Sequence, residues 1–277
     1  MKVSMLRRVF IYTFLIVLCV VWLLPVITTI LISLKTVEEF YTTPFFVMPK
    51  GFALFENLKS VTEYYRLQIN FLNSVIYAVV GVTFCVIFSS CAAFGVTMLR
   101  PKGSFLIFMV IYSGTIFPFQ LYLVPLLNTY NALDIFDTKF GMLLLYTSIC
   151  IPFATFLYRG FFMGLDDTIR DAALIDGCNP ADLFIRIYVP QLTAPTAVVA
   201  LFQGMWIWND MLFGMLLSST ENVRPIMVAV AQSTGTGGGK IPIMMAGVLF
   251  TSIPTVILFI ALRKYFIQGY AMQSGLE

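Results

Sequence analysis

Few residues in this sequence have the chemistry to build a site, and most of them fall in one place. Residues 166–190, DDTIRDAALIDGCNPADLFIRIYVP, hold five of the fourteen acidic residues within an otherwise oily second half. Carboxylates set among small residues suit helix capping and docking better than bond-breaking. Asp166 or Asp167 can cap a first short helix by accepting from the free N–H groups of its opening turn. Gly177 can end that helix, because a residue without Cβ adopts the left-handed conformation cheaply. Asn179 and Pro180 then serve as N-cap and first residue of a second helix, with Asp182 in its first turn and Pro190 as its stop. On the first helix Ile169, Ala172, Ala173 and Asp176 share one face, where the alanines let another surface approach closely. On the second, Leu183, Phe184, Ile187 and Tyr188 form a bulkier stripe able to hold the bend under a helical bundle. The expected object is a rigid knuckle with a small, part-acidic surface.

A second constellation lies further on. Gln203, Trp206 and Asp210 fall at i, i+3 and i+7 of an apolar stretch, beside Asn209, and a carboxylate in such a stretch is functional by default because burying it in lipid costs about 2.5–3.5 kcal/mol. Amide, carboxylate and indole suit sugars, which offer hydroxyls at their edges and C–H faces for stacking. The plainer alternative puts Trp206 and Trp208 in the interfacial aromatic belt and Asp210 at headgroup water. Gln120, in the apolar stretch before residue 127, is a similar pathway candidate. Catalytic and metal chemistry is poorly supplied. The chain has no histidine, which removes His general bases and most zinc or haem ligation. Its five cysteines, Cys19, Cys85, Cys91, Cys150 and Cys178, show no C-x-x-C spacing. The run 234–240 looks like a phosphate loop but has Thr234 for the first glycine and Ile241 after the lysine.

The elements that must carry these residues are membrane helices. The chain is 59% hydrophobic and 11% charged, with a mean hydropathy of +0.90, against roughly 25% charged residues in soluble domains. Six stretches lack charge for long enough to cross a bilayer: 9–34, 67–99, 103–133, 140–158, 187–209 and 241–262. The first is too long for a cleaved signal peptide and reads as a retained span. With the N-terminus inside, cytoplasmic segments hold Lys2, Arg7, Arg8, Arg100, Lys102, Arg159, Arg170, Arg186, Arg263 and Lys264, ten of the seventeen basic residues. The positive-inside rule then places both termini and residues 166–190 on the cytoplasmic side. The predicted fold is all-α, a polytopic protein of six transmembrane helices forming one transmembrane domain over 1–277, with an extracytoplasmic loop at 35–70, a cytoplasmic helix-turn-helix loop at 166–190 and a cytoplasmic tail at 263–277. Span three is expected at 104–127 and span five at 192–216, and a short surface helix at 55–66.

At the knuckle the chain resembles a known family. Binding-protein-dependent ABC importers carry, in the cytoplasmic loop of each membrane subunit, the motif EAA, three residues, G, nine residues, I, one residue, LP. Here Asp171-Ala172-Ala173 precedes Leu174-Ile175-Asp176, then Gly177, nine residues, Ile187, Tyr188, Val189 and Pro190. Asp171 stands for Glu and Val189 for Leu, with no gap in the spacing. Trp208-Asn209-Asp210, Arg224-Pro225 and a last span containing Pro254 extend the similarity to the MalG-type permeases of carbohydrate importers. The resemblance implies a type I importer permease whose coupling residues are Asp171, Ala172, Ala173, Asp176, Gly177, Ile187 and Pro190. It implies that ATP and Mg are bound by two partner ATPase subunits and that this chain is not itself an enzyme. It further implies a second permease in a heterodimer, an extracytoplasmic solute-binding protein, a sugar or oligosaccharide as solute, and a bacterial inner or plasma membrane as location. The tail, Gly269 to Glu277, departs from the glycine-rich, lysine-bearing pattern of relatives.

Two rival readings differ in what they demand. An importer of a glycerol phosphate ester would favour a more basic pathway than Lys35, Lys139, Arg224 and Lys240 provide. A self-contained ion-coupled carrier would need several ionisable residues within its spans, where this chain has about one, and it shows no internal repeat. A membrane enzyme is a third, weakened by the missing histidines.

Overall fold

The structure, a computed structural model, describes residues 5–232 and 240–274. Residues 234–239 of the glycine run, Lys2 and the last three residues of the tail therefore lie outside the described residues. The described chain is helical, and it divides into two compact units, Met1–Leu67 with Ala229–Ile253 and Gln68–Val228 with Pro254–Glu277.

The first unit begins with α1 (Met5–Ser33), which contains Pro25. Its side chains are exposed from Val9 through Ile27, including Phe10 and Trp22. A helix apolar on all sides is compatible with lipid or protein as its surroundings and with little else. The segment after it, expected as a loop with one surface helix, holds two: α2 (Val37–Thr42) and α3 (Leu54–Tyr65). Thr36 caps α2 by accepting from the Glu39 N–H. Asn57 on α3 donates to the carbonyls of Ser33 and Lys35, both at 2.9 Å, so the end of α1 is tied to α3. Lys35 is fully buried. Its ammonium donates to the Thr43 hydroxyl and to the carbonyls of Pro44 and Phe45 at 3.2–3.4 Å, as a buried donor must.

The second unit is built on three long helices, α4 (Leu67–Thr97), α7 (Lys139–Met163) and α10 (Thr193–Asn209). Their contact buries Tyr77, Cys85, Tyr146, Cys150, Ala154, Tyr158, Val199 and Ile207. Cys85 and Cys150 are free thiols acting as small core side chains. Gly81 brings α4 close to its neighbours, since a Cβ there would lie 3.3 Å from Ile207 and 3.5 Å from Tyr146.

Among the described residues five helices are long and apolar enough to cross a membrane; the expected third span is different. It is broken into α5 (Ser104–Ser113), a short 3-10 turn at Phe119–Tyr122 and α6 (Leu123–Ala132). The break follows from Gly114 and Pro118. Gly114 lies against Pro152 of α7, and Pro118 lacks the N–H that a continuing helix would need. The helix α11 (Leu212–Leu217) and the final pair α12 (Ile226–Gln232) and α13 (Ile241–Ser274) complete the chain. Because α13 runs to Ser274, the stretch expected as a separate tail from residue 263 starts as helix.

Candidate functional site

The knuckle is assembled from local rules, almost residue by residue. Asp166, extended at φ −71° and ψ 128°, caps α8 (Asp167–Ile175) by accepting from the Thr168 N–H at 3.0 Å. The backbone N–H and the side chain of Thr168 hold the Asp166 carboxyl below the usual aspartate value. At the other end Gly177 sits at φ +80°. Its N–H donates to the Leu174 carbonyl at 3.1 Å and that of Cys178 to Ala173 at 3.0 Å. This nested pair is a Schellman ending, which needs a left-handed residue at its corner. Asn179 then accepts from the N–H groups of Ala181 and Asp182, both at 2.9 Å, and Pro180 begins α9 (Pro180–Asp182).

Two features of this stretch differ from expectation. Ala173 does not share an open face with Ile169, Ala172 and Asp176: it is buried in the core of the second unit. The outward surface is made instead by Ile169, Asp171, Ala172, Leu174, Ile175 and Asp176, all exposed, with Ile175 86% exposed. Pro190 does not stop the second helix. The chain winds on from Pro180 through a π-helical turn, Leu183–Tyr188, and a 3-10 turn, Val189–Leu192, directly into α10. The π turn relieves the clash that a proline ring makes in an α-helix, and at the start of a new turn its missing N–H costs nothing. The Gln191 side-chain amide donates to the Ile187 carbonyl at 2.8 Å.

The bulky stripe is placed as expected. Leu183 and Tyr188 are buried, and the rings of Phe184 and Tyr188 lie 5.0 and 5.7 Å from Phe94 of α4, with Tyr188 also 5.6 Å from Phe162 of α7. Ile187 is half-buried beside them and Pro190 exposed. Ion pairs add a brace. Arg100, in the turn after α4, donates to both carboxylate oxygens of Asp167 at 2.9 and 3.1 Å. Arg170 reaches Asp167 at 3.3 Å and Asp171 at 2.9 Å, and the bond to Asp171 raises the Arg170 pKa. The sequence gives no sign of the first pair, because its members lie 67 positions apart.

The second constellation is rearranged. α10 ends at Asn209, so Asp210 is not on the helix face of Gln203 and Trp206. Nor does it reach water: it is 8% exposed. Its carboxylate accepts from the Tyr146 hydroxyl at 2.9 Å and from the Phe213 and Gly214 N–H groups at 3.3 and 2.9 Å, which opens α11. Trp206 is half-buried and packs on Phe119, Phe213 and Tyr146 at 5.9–6.4 Å between ring centres. Trp208 meets Phe71 at 5.4 Å. Gln203 is buried, whereas Asn209 and Gln120 are exposed. Nothing local in the sequence ties Tyr146 to Asp210, although a lone carboxylate in an apolar stretch demands a donor on a neighbouring helix.

Known proteins resemble this architecture. No protein-family model matches the chain. A probable permease of a transport system for starch degradation products, AmyC of Thermoanaerobacterium thermosulfurigenes, is 31% identical over 259 residues, covering 92% of this chain and 93% of that protein. The chain belongs to the ABC-importer permease family. A probable ABC transporter permease of Pyrococcus horikoshii is 33% identical over 173 residues, which span 62% of this permease and 63% of that relative. The arabinooligosaccharide permease AraQ of Halalkalibacterium halodurans is 30% identical over 199 residues, 72% of this chain and 71% of that protein. The fold also matches a solved bacterial ABC transporter involved in import of the acidic polysaccharide alginate, with a TM-score of 0.82 at 20% identity over 96% of this chain and 99% of that one. The permease is thus a multi-pass membrane subunit and not an enzyme, and membership of its family implies a partner permease, ATPases and a binding protein.

Proposed function

We propose that this permease moves a sugar or oligosaccharide into the cytoplasm as one half of a heterodimer, with the knuckle at 166–190 seated on a partner ATPase. The observation that carries this reading is the geometry of the knuckle: a Schellman corner at Gly177 and a cap at Asn179 fix a small exposed surface of Ile169, Ala172, Ile175 and Asp176. Leu183 and Tyr188 anchor that surface to the bundle, so a push on it reaches α10. Asp171, Ala172, Asp176 and Gly177 form the docking surface, while Ala173, Ile187 and Pro190 shape its base. The sugar assignment draws on the names of the relatives, which include permeases for starch degradation products, arabinooligosaccharides and lactose. ATP and Mg reside in the ATPase pair, the termini are cytoplasmic, and residues 35–70 face the binding protein. In the pathway, Gln120, Trp206 and Asn209 are candidates for contact with solute, with Gln203 and Asp210 holding their surroundings in place.

The test is Gly177→Pro. A proline cannot adopt φ +80°, so the variant is expected to insert normally, to lose the ATPase on purification and to lose sugar uptake. Normal uptake by an inserted Gly177→Pro protein would overturn the coupling assignment.

A further inference from the structure

At the knuckle end of the second unit a cleft of about 310 Å³ opens between the C-terminal ends of α4 and α7 and the N-terminal end of α5. Two guanidiniums, Arg100 and Arg159, and one carboxylate, Asp167, line it. The carboxylate is already occupied, by Arg100 at 2.9 Å and Arg170 at 3.3 Å. Arg159 is the uncompensated charge. It is half-buried, its guanidinium carbon stands 4.3 Å from the centre of the Phe108 ring, and it makes no salt bridge among the described residues. Ser104, also in the lining, is the first residue of α5. Gly103 holds the cap position there at φ +81° with no side chain to serve the free N–H groups, and such an end attracts anions. Thr97, on the same wall, is 9% exposed and its hydroxyl has no hydrogen-bond partner.

An arginine with an aromatic but no anionic partner, a helix N-terminus with no side-chain cap and the Ser104 hydroxyl in one concavity describe a receptor for a phosphate-bearing anion. What surrounds the cleft narrows the source. Leu99, Phe105, Leu106 and Met163 are 48–69% exposed. They flank Arg100, Ser104 and the end of α7, where two membrane-length helices finish. We infer that the cleft binds the headgroup phosphate of an anionic phospholipid, whose acyl chains lie along Phe105, Leu106 and Leu99. Basic concavities at the ends of membrane helices hold lipid headgroups by this combination of charge and adjacent apolar surface. Arg100 ties the same cleft to the first residue of α8, so the bound lipid braces the root of the knuckle. The inference concerns the bilayer and is independent of the solute carried.

The experiment uses the full chain purified with its partner subunits and placed in nanodiscs of phosphatidylcholine doped with graded phosphatidylglycerol, with lipid retention read by native mass spectrometry. The wild-type chain is expected to retain one phosphatidylglycerol that Arg159→Gln retains roughly fivefold less well, from the attraction of about one basic residue. Should Arg159→Gln fail to assemble, Ser104→Asp provides the second variant: it suits the helix N-terminus but repels a phosphate, and it too should lower retention. Equal retention by wild type and an assembled variant would overturn the assignment. Loss of the retained lipid on adding millimolar inorganic phosphate, with phosphate bound in its place, would also overturn it by showing that the acyl chains contribute nothing.

Discussion

The knuckle and the Asp210 turn solve the same problem in opposite ways. Each interrupts the winding of the second unit, and each uses an aspartate to receive the N–H groups of the helix that follows. Asp166 is exposed and its partner is two residues away. Asp210 is buried and depends on Tyr146, 64 residues earlier, as well as on Gly214. A corner made of local bonds can stand in water and leave its surface free for a partner. A corner made of tertiary bonds has no free surface and fixes the helices around it.

That contrast sets the order of effects. Asp210→Ala should be the most damaging change: it leaves the Tyr146 hydroxyl and two N–H groups without acceptors in a buried place, a loss of about 3 kcal/mol or more. Thermal denaturation in detergent should show it, and Tyr146→Phe should be milder and non-additive with it. Full additivity of the two would break the comparison. Asn179→Ala removes an exposed cap worth about 1 kcal/mol, so the melting temperature should shift little while ATPase binding weakens measurably. An Asn179→Ala shift as large as that of Asp210→Ala would mean that the Asn179 cap is held by tertiary contacts rather than by its local bonds. The smallest effect concerns pH. The Asp166 carboxyl is depressed in the folded chain, so its contribution is complete above the unfolded value of about 3.9 and is lost as pH falls through the lower folded value. The amide protection factor at Thr168, whose N–H donates to the Asp166 carboxylate, should hold down to that range and fall only below it.

The same contrast explains what the sequence discloses. Asp166, Gly177 and Asn179-Pro180 are legible because each acts on neighbours within about three positions. Pro190 misleads because the rule that a proline ends a helix assumes α geometry, and the π turn at Leu183–Tyr188 removes the clash on which the rule depends. Ala173 turns inward because Phe94, Phe162 and Tyr188 gather beneath the knuckle, a grouping from three separate elements that periodicity does not encode. The partnership of Asp210 with Tyr146 and the bond of Arg100 to Asp167 are equally silent, since each joins residues more than 60 positions apart. The division of the third span at Gly114 and Pro118 is legible in residue type, since a glycine and a proline four positions apart break a helix that length and apolarity alone would continue.

The π turn has a consequence for phasing. Such a turn holds one residue more than an α-helix would, so the knuckle and α10 share a single winding whose two ends are set out of step by that residue. Forcing α geometry on Leu183–Tyr188 at unchanged length would swing the docking surface by about 100° around the axis of α10, whereas deleting one residue there would remove the π turn and leave the direction as it is. In the first case the permease would present its knuckle in the wrong direction, like a key cut correctly on a shaft turned by a quarter; in the second it would still fit.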